Sequence, residues 1–205
     1  MPNVIPISDL AVQSRYRAGD ILAFYGRDWR SRAIELATWG PSHVGIIVEW
    51  PFPNGRGGWD IELVLLESTM LCSRECVIQG KKIDGVQAQW PRLRIQDYAG
   101  RAKIFRLADD CALNNDTSDR LTELAEHWLG KPYDFKGALW SGTRLLKYLP
   151  RIPYNDLGSL FCSELIARCL QRIQLLCITN SGKYNPASLI RQLVESGAYK
   201  PGVPA

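Results

Sequence analysis

The sequence predicts an α+β fold: one domain over residues 1–205, with an antiparallel sheet packed against helices. Three observations predict it. Strand-like apolar runs cluster in the first half, helical periodicity dominates the second half, and no strand–helix–strand alternation links them. With 205 residues, 46% of them hydrophobic, the chain can bury roughly 70% of its unfolded surface without a metal or disulfide staple.

The elements follow in order. Gly19-Asp20 leads into Ile21-Leu22-Ala23-Phe24-Tyr25, a short buried strand bounded by glycines. Residues 29–39 read as a helix stopped by Gly40-Pro41. Ser42-His43 opens the most β-branched run, Val44 to Trp50, and Pro51 to Gly58 is a turn dense in Pro, Gly and Asn. A second long strand covers Ile61 to Glu67, and weaker strand signals lie at 75–79, 85–90 and 102–107.

Helices then take over. Over 117–129, Leu121, Leu124, Ala125, Trp128 and Leu129 form one apolar stripe that Gly130 ends. Residues 136–149 are predicted helical and 150–156 a loop. A helix over about 160–174 takes Ser159 as its N-cap, and Asn185-Pro186 starts a last helix ending near Gly197.

Composition excludes several classes. Twenty-five basic residues against 21 acidic ones give +4, spread along the chain with no block to track phosphates, so nucleic acid is not an expected partner. No apolar run approaches the ~18–20 residues that span a bilayer. The start lacks a secretory pattern, which makes the cytoplasm the default location, with export by a signal-independent route as the alternative. The cysteines at 72, 76, 111, 162, 169 and 177 contain no CxxC pair and are expected to be reduced thiols, with no zinc site.

Only two histidines are available for chemistry. His127 projects away from the apolar stripe of its helix and reads as solvated. His43 sits where a turn enters a buried strand, either as a packed core residue or as a group presented to a cleft. Among the cysteines, 169 and 177 are explained by packing, whereas 72, 76 and 111 fall in polar surroundings. Cys162 differs because it falls in the first turn of a helix. Unpaired amides and the helix dipole there favour a thiolate and could stabilise an oxyanion beside it, although its apolar face equally suits an inert buried thiol. If Trp50 pairs with Asp60 across the turn, His43 falls opposite Glu67. That carboxylate could orient the imidazole or be an ordinary strand-end acid.

Four segments occur in a telling order: Gly19-Asp20-Ile21-Leu22, Ser42-His43-Val44-Gly45-Ile46, Glu67-Ser68 and Phe161-Cys162-Ser163-Glu164-Leu165-Ile166. From about residue 18 to 190 the chain resembles the circularly permuted NlpC/P60-like cysteine hydrolases. This papain-like group includes the YiiX/YaeF-type proteins and is related to lecithin retinol acyltransferase. As that arrangement requires, the histidine precedes the cysteine. The resemblance implies a permuted papain-like fold, with Cys162 as nucleophile, His43 as general base and acid, and Glu67 behind the histidine. Gly130-Lys131-Pro132-Tyr133 is similar to the segment whose tyrosine lines the site, making Tyr133 a substrate-binding candidate. Here Phe135-Lys136-Gly137 replaces the family's paired glycines, and an unusually long stretch separates Tyr133 from Cys162.

The implied activity is hydrolysis of an amide or acyl bond through a cysteine thioester, without metal or organic cofactor. A cell-wall-type peptide is the first substrate class. Lipid or N-acyl chemistry at a membrane surface is an alternative, for which the apolar and basic residues of 138–151 could supply an interfacial element. A non-catalytic binding module on the same fold is the other.

Overall fold

The computed structural model describes residues 15–27, 39–70, 74–133, 161–177 and 179–205. The architecture is mixed α+β. Six antiparallel strands run in the order β4-β3-β2-β1-β5-β6: β1 Ile21–Gly26, β2 His43–Pro53, β3 Trp59–Thr69, β4 Gly85–Gln89, β5 Gly100–Phe105 and β6 Val203–Pro204. Among the described residues, four α-helices accompany them: α1 Pro91–Asp97, α2 Asn115–Trp128, α3 Cys162–Arg172 and α4 Pro186–Glu195. The predicted helix at 29–39, the segment 136–156, the interfacial element of 138–151, Ser159 and Cys72 lie almost wholly outside the described residues.

Strand alternation divides the core between the two faces of the sheet. Val44, Ile46, Val48, Val64, Leu66, Val86 and Ala88 point toward α2, α3 and α4, and pack with Leu121, Leu165, Ile166 and Leu189. Leu22, Phe24, Ile47, Leu65 and Ile104 point the other way, where Ile95 and Tyr98 at the end of α1 cover them. Asp20 ties the entry of β1 to the exit of β5. Its buried carboxylate accepts the amides of Arg17 and Leu107, and burial raises its carboxyl pKa.

Several expectations need correction. The predicted turn at 51–58 is shorter, because β2 continues through Pro51-Phe52-Pro53 before turning at Asn54–Gly58. The Ile47 amide donates to Asp20 on the β1 side, so residues 49, 51 and 53 aim their nitrogens that way too. Among the described residues no partner strand extends that far beside β2, so there the two prolines cost no ladder bond. Residues 75–79 form a turn instead of a strand, closed by the Gly80 amide bonding to Cys76. The helix α1 and the strand β6 have no counterpart in the predicted elements. The N-cap of α3 is Phe161, not Ser159, and it makes no side-chain cap bond. The last helix starts as expected, with Asn185 and Ser188 forming a reciprocal capping box. Among the described residues, no helix is long and apolar enough to cross a membrane.

Candidate active site

The site begins at the first residue of β2. Phe24 on β1 is the register partner of His43, and its carbonyl accepts both the amide and the hydroxyl of Ser42. The Ser42 hydroxyl also meets the Tyr98 hydroxyl at 3.3 Å. These bonds fix the entry of the strand, and the Phe24 ring lies 5.7 Å from the imidazole, tilted against it. His43 is thereby held with its side chain only 13% exposed.

The hairpin register differs from the one expected. Trp50 pairs with Glu62 and Gly45 with Glu67, a slip of two residues caused by the shorter turn. A slip of two preserves the face on which every side chain lies. Glu67 therefore still reaches His43, now diagonally, with Oε2 at 2.6 Å from the imidazole Nε2.

Glu67 is fully buried, and its other oxygen accepts the Nε–H of Arg94 at 2.7 Å. Arg94 comes from α1, and its guanidinium stacks over the rings of Phe24 and Tyr98 at 5.3 and 5.4 Å. Sequence reasoning missed this residue. Trp90-Pro91 was the available signal, since proline favours the first helical position. A buried carboxylate also calls for cations, and Arg94 supplies one in addition to His43.

Cys162 arrives from the opposite layer as the first residue of α3, almost buried in the helix-side core. Leu165 makes the first intrahelical bond, to the carbonyl of Phe161, so the amide of Cys162 has no intrahelical acceptor. The Cys162 sulfur is near enough to act on the charge of the His43 ring, which is hydrogen-bonded to Glu67. Nε2 is taken by the carboxylate, so Nδ1 is the other ring nitrogen with which His43 can serve a proton acceptor or donor. His43, at the end of its strand, thus joins Cys162 on the helix face to Glu67 and Arg94 on the other.

Electrostatics follow from the same contacts. Burial alone would lower the pKa of His43. The adjacent Cys162 sulfur, then Glu67, outweigh it and raise the imidazole from 6.5 to about 9. Burial would raise Glu67, but the hydrogen bond and charge of His43, followed by those of Arg94, hold it below its usual 4.5.

The other candidates have the following surroundings. Tyr133 stands beside the start of β4, where Pro132 bridges to Gly85 and its own amide donates to Asp84. His127 is exposed on α2, as expected. Cys76, expected in polar surroundings, is fully buried, and its sulfur accepts the Ala88 amide at 3.3 Å. Cys177, expected to pack, is exposed because α3 ends before it. Cys169 is buried, and its thiol is pushed up to about 12 by desolvation. All five described cysteines are free. No group of three or more His, Cys, Asp or Glu side chains is placed to hold a metal among the described residues.

No protein-family model matches this chain, and no curated protein matches it. Among solved structures it is similar to the crystal structure of metalloprotein YiiX from Escherichia coli O157:H7, also described as DUF1105. Identity is 22% and the TM-score 0.47, over 77% of this chain and 66% of that one. The chain thus spans just under two thirds of the length of that protein.

Proposed function

We propose that the chain is a thiol hydrolase of the papain-like class, in the permuted order in which the histidine precedes the cysteine. The observation that carries this reading is the placing of Cys162, at a helix N-terminus, within electrostatic reach of a His43 ring that is bonded to the buried Glu67. Nucleophile, base and orienting acid in succession are the working parts of covalent acyl chemistry.

His43 takes the proton of Cys162, and the resulting thiolate attacks an amide or acyl carbonyl. The amide of Cys162 is available to the oxyanion that forms. The imidazolium then gives its proton to the leaving group, a thioester remains, and water activated by His43 hydrolyses it. Glu67 holds the ring with Nε2 toward itself and favours its cationic form. Tyr133 is retained as a candidate for substrate contact through the resemblance of its segment. A cell-wall-type peptide is the first substrate class, and lipid or N-acyl compounds the second.

The test is a screen of murein peptides, N-acyl amines and lipids with the wild type and Cys162→Ala. Turnover of one class that disappears in Cys162→Ala supports the reading. Equal turnover by both proteins overturns the nucleophile assignment. Saturable binding without turnover of any class makes the chain a binding module on this fold.

A further inference from the structure

We propose that Arg94 is a positioning residue that keeps the mobile proton on His43, and off Glu67, throughout the reaction. This rests on the thiol-hydrolase reading. Its geometric basis is an ion pair at 2.7 Å, with side-chain exposures of 7% and 0%, clamped by two aromatic rings.

Charge accounting across the cycle gives the reason. Once His43 has taken the proton of Cys162, the pair is a thiolate and a cation, Glu67 is an anion and Arg94 a cation, so the cluster is neutral. Attack forms the S–C bond. Collapse breaks the bond from carbon to the leaving nitrogen or oxygen, which departs with the proton from His43. Cys162 is now a neutral thioester and His43 a neutral imidazole, while Glu67 and Arg94 still cancel. Water then gives one proton to His43, its oxygen bonds to carbon, and the thiolate leaves. Counted together with the substrate oxyanion of the tetrahedral states, the cluster stays neutral throughout.

Without Arg94, each state would bury one net negative charge. The demand falls hardest on the thioester state, in which His43 carries no charge to balance Glu67. A carboxylate with no access to water then takes up a proton, and neutral Glu67 no longer favours the imidazolium. An arginine suits this position because it does not deprotonate in proteins and its planar fork stacks on rings.

Among the described residues, the groups that face Glu67 are few. His43 comes from β2 and Arg94 from α1, while β4 presents the neutral amide of Gln87 directly opposite. Cys162 on α3 acts through His43. Asp97 on α1 is attracted to Arg94 but is paired with Arg74 at the surface.

The experiment uses the full chain with Cys162 carbamidomethylated by iodoacetamide, a neutral mimic of the thioester. Protonation of Glu67 is followed by infrared difference spectroscopy, identified by its loss in Glu67→Gln. We expect Glu67 to remain ionised at mildly acidic pH in the wild type. In Arg94→Met it should take its proton at least one pH unit higher, a tenfold change in proton affinity, and Arg94→Lys should restore most of the difference. The iodoacetamide rate of Cys162 at pH 5.5 should fall about tenfold in Arg94→Met, with the folded fraction held equal. An unchanged Glu67 midpoint in folded Arg94→Met overturns the proposal.

If Arg94→Met does not fold, the double variant Arg94→Met/Glu67→Gln decides. Recovery of folding supports service to the Glu67 charge, and continued failure makes Arg94 a packing element and overturns the proposal. The carboxyl measurement needs no substrate. Full turnover by Cys162→Ala would therefore remove the proposed function while leaving this titration result as a separate outcome.

Discussion

Glu67 stands directly opposite Gly45 in the sheet, and its carboxylate passes over that glycine to reach His43, two residues further along the same face. The missing side chain at position 45 matters in two directions. It leaves a gap across which a diagonal contact forms, and it admits the side chain of Leu65 from β3.

Gly45→Ala should therefore be costly for an interior strand position. A Cβ there would lie 2.7 Å from Leu65 Cδ1 and 3.1 Å from the carbonyl oxygen of Leu66. Leu65 can rotate, but the carbonyl belongs to the β2–β3 ladder. Overpacking of this kind costs about 1–3 kcal/mol. Denaturant unfolding should register that loss, and the alkylation rate of Cys162 should fall with it as β2 and β3 spread. Unchanged stability would mean that the strands adjust freely at this point.

The pH dependence of stability has a definite sign. His43 has its pKa raised from 6.5 to about 9 in the folded chain, so its contribution is complete below pH 6.5 and is lost as pH rises through 9. Glu67 has its pKa lowered from 4.5, so its contribution is complete above pH 4.5 and is lost on acidification. Both are fully present between about pH 4.5 and 6.5. The stability difference between wild type and His43→Gln should shrink above pH 6.5, by at most about 1.4 kcal/mol per pH unit for one proton. Denaturant titrations from pH 4 to 9.5 measure it. A difference that is flat from pH 6.5 to 9 would remove the buried imidazolium.

What the sequence reveals about this site depends on how local the signal is. β1 declares itself through an apolar run bounded by glycines and the start of β2 through a β-branched one, and the α2 stripe and the Asn185-Pro186 start are equally local. Position His43 at a strand start and Cys162 at a helix start follow from their neighbours alone. The register of Glu67 does not, because prolines 51 and 53 resemble a turn until the absence of a neighbouring strand on that side is known. The face of Glu67 was still right because the slip was even. Arg94 was illegible for a different reason. A basic residue on a seven-residue helix reads as solvated, and only the tertiary placement of α1 against β3 buries it. Cys76 shows the same limit, since polar sequence neighbours did not prevent its burial under β4.

Thiol reactivity should rank against exposure. Cys177 is exposed and Cys162 nearly buried, yet among the described cysteines it is Cys162 that acts on the His43 imidazole. Iodoacetamide at pH 6 should label Cys162 first, because the thiolate is the reacting form and a neighbouring imidazolium favours it. Cys169, with its thiol pushed up to about 12 and no exposure, should remain unlabelled in the folded chain. Peptide mass spectrometry over a time course gives the order. Labelling of Cys177 ahead of Cys162 at that pH would argue for an inert core thiol.

Glu67→Gln separates the acid's charge from its shape. Glutamine fills the same volume and can accept the Nε2–H of His43 through its carbonyl, so the ring can keep its orientation. What it removes is the negative charge that favours the imidazolium and the anion that balances Arg94. Turnover of the substrate identified in the screen should fall roughly 10²–10⁴-fold without vanishing, as expected when the orienting acid of a triad is neutralised. The alkaline limb of the rate profile should move down from about 9, because one of the two groups raising the imidazole is gone. Stability should fall as well, since the buried guanidinium at 2.7 Å loses its carboxylate. Removing one partner of a buried pair costs about 3–5 kcal/mol, and the remaining amide oxygen should reduce that figure. Rate against pH for wild type, Glu67→Gln and Glu67→Ala, with unfolding curves for each, measures all three effects. Wild-type rates and an unmoved alkaline limb in a folded Glu67→Ala would show that another group supports His43.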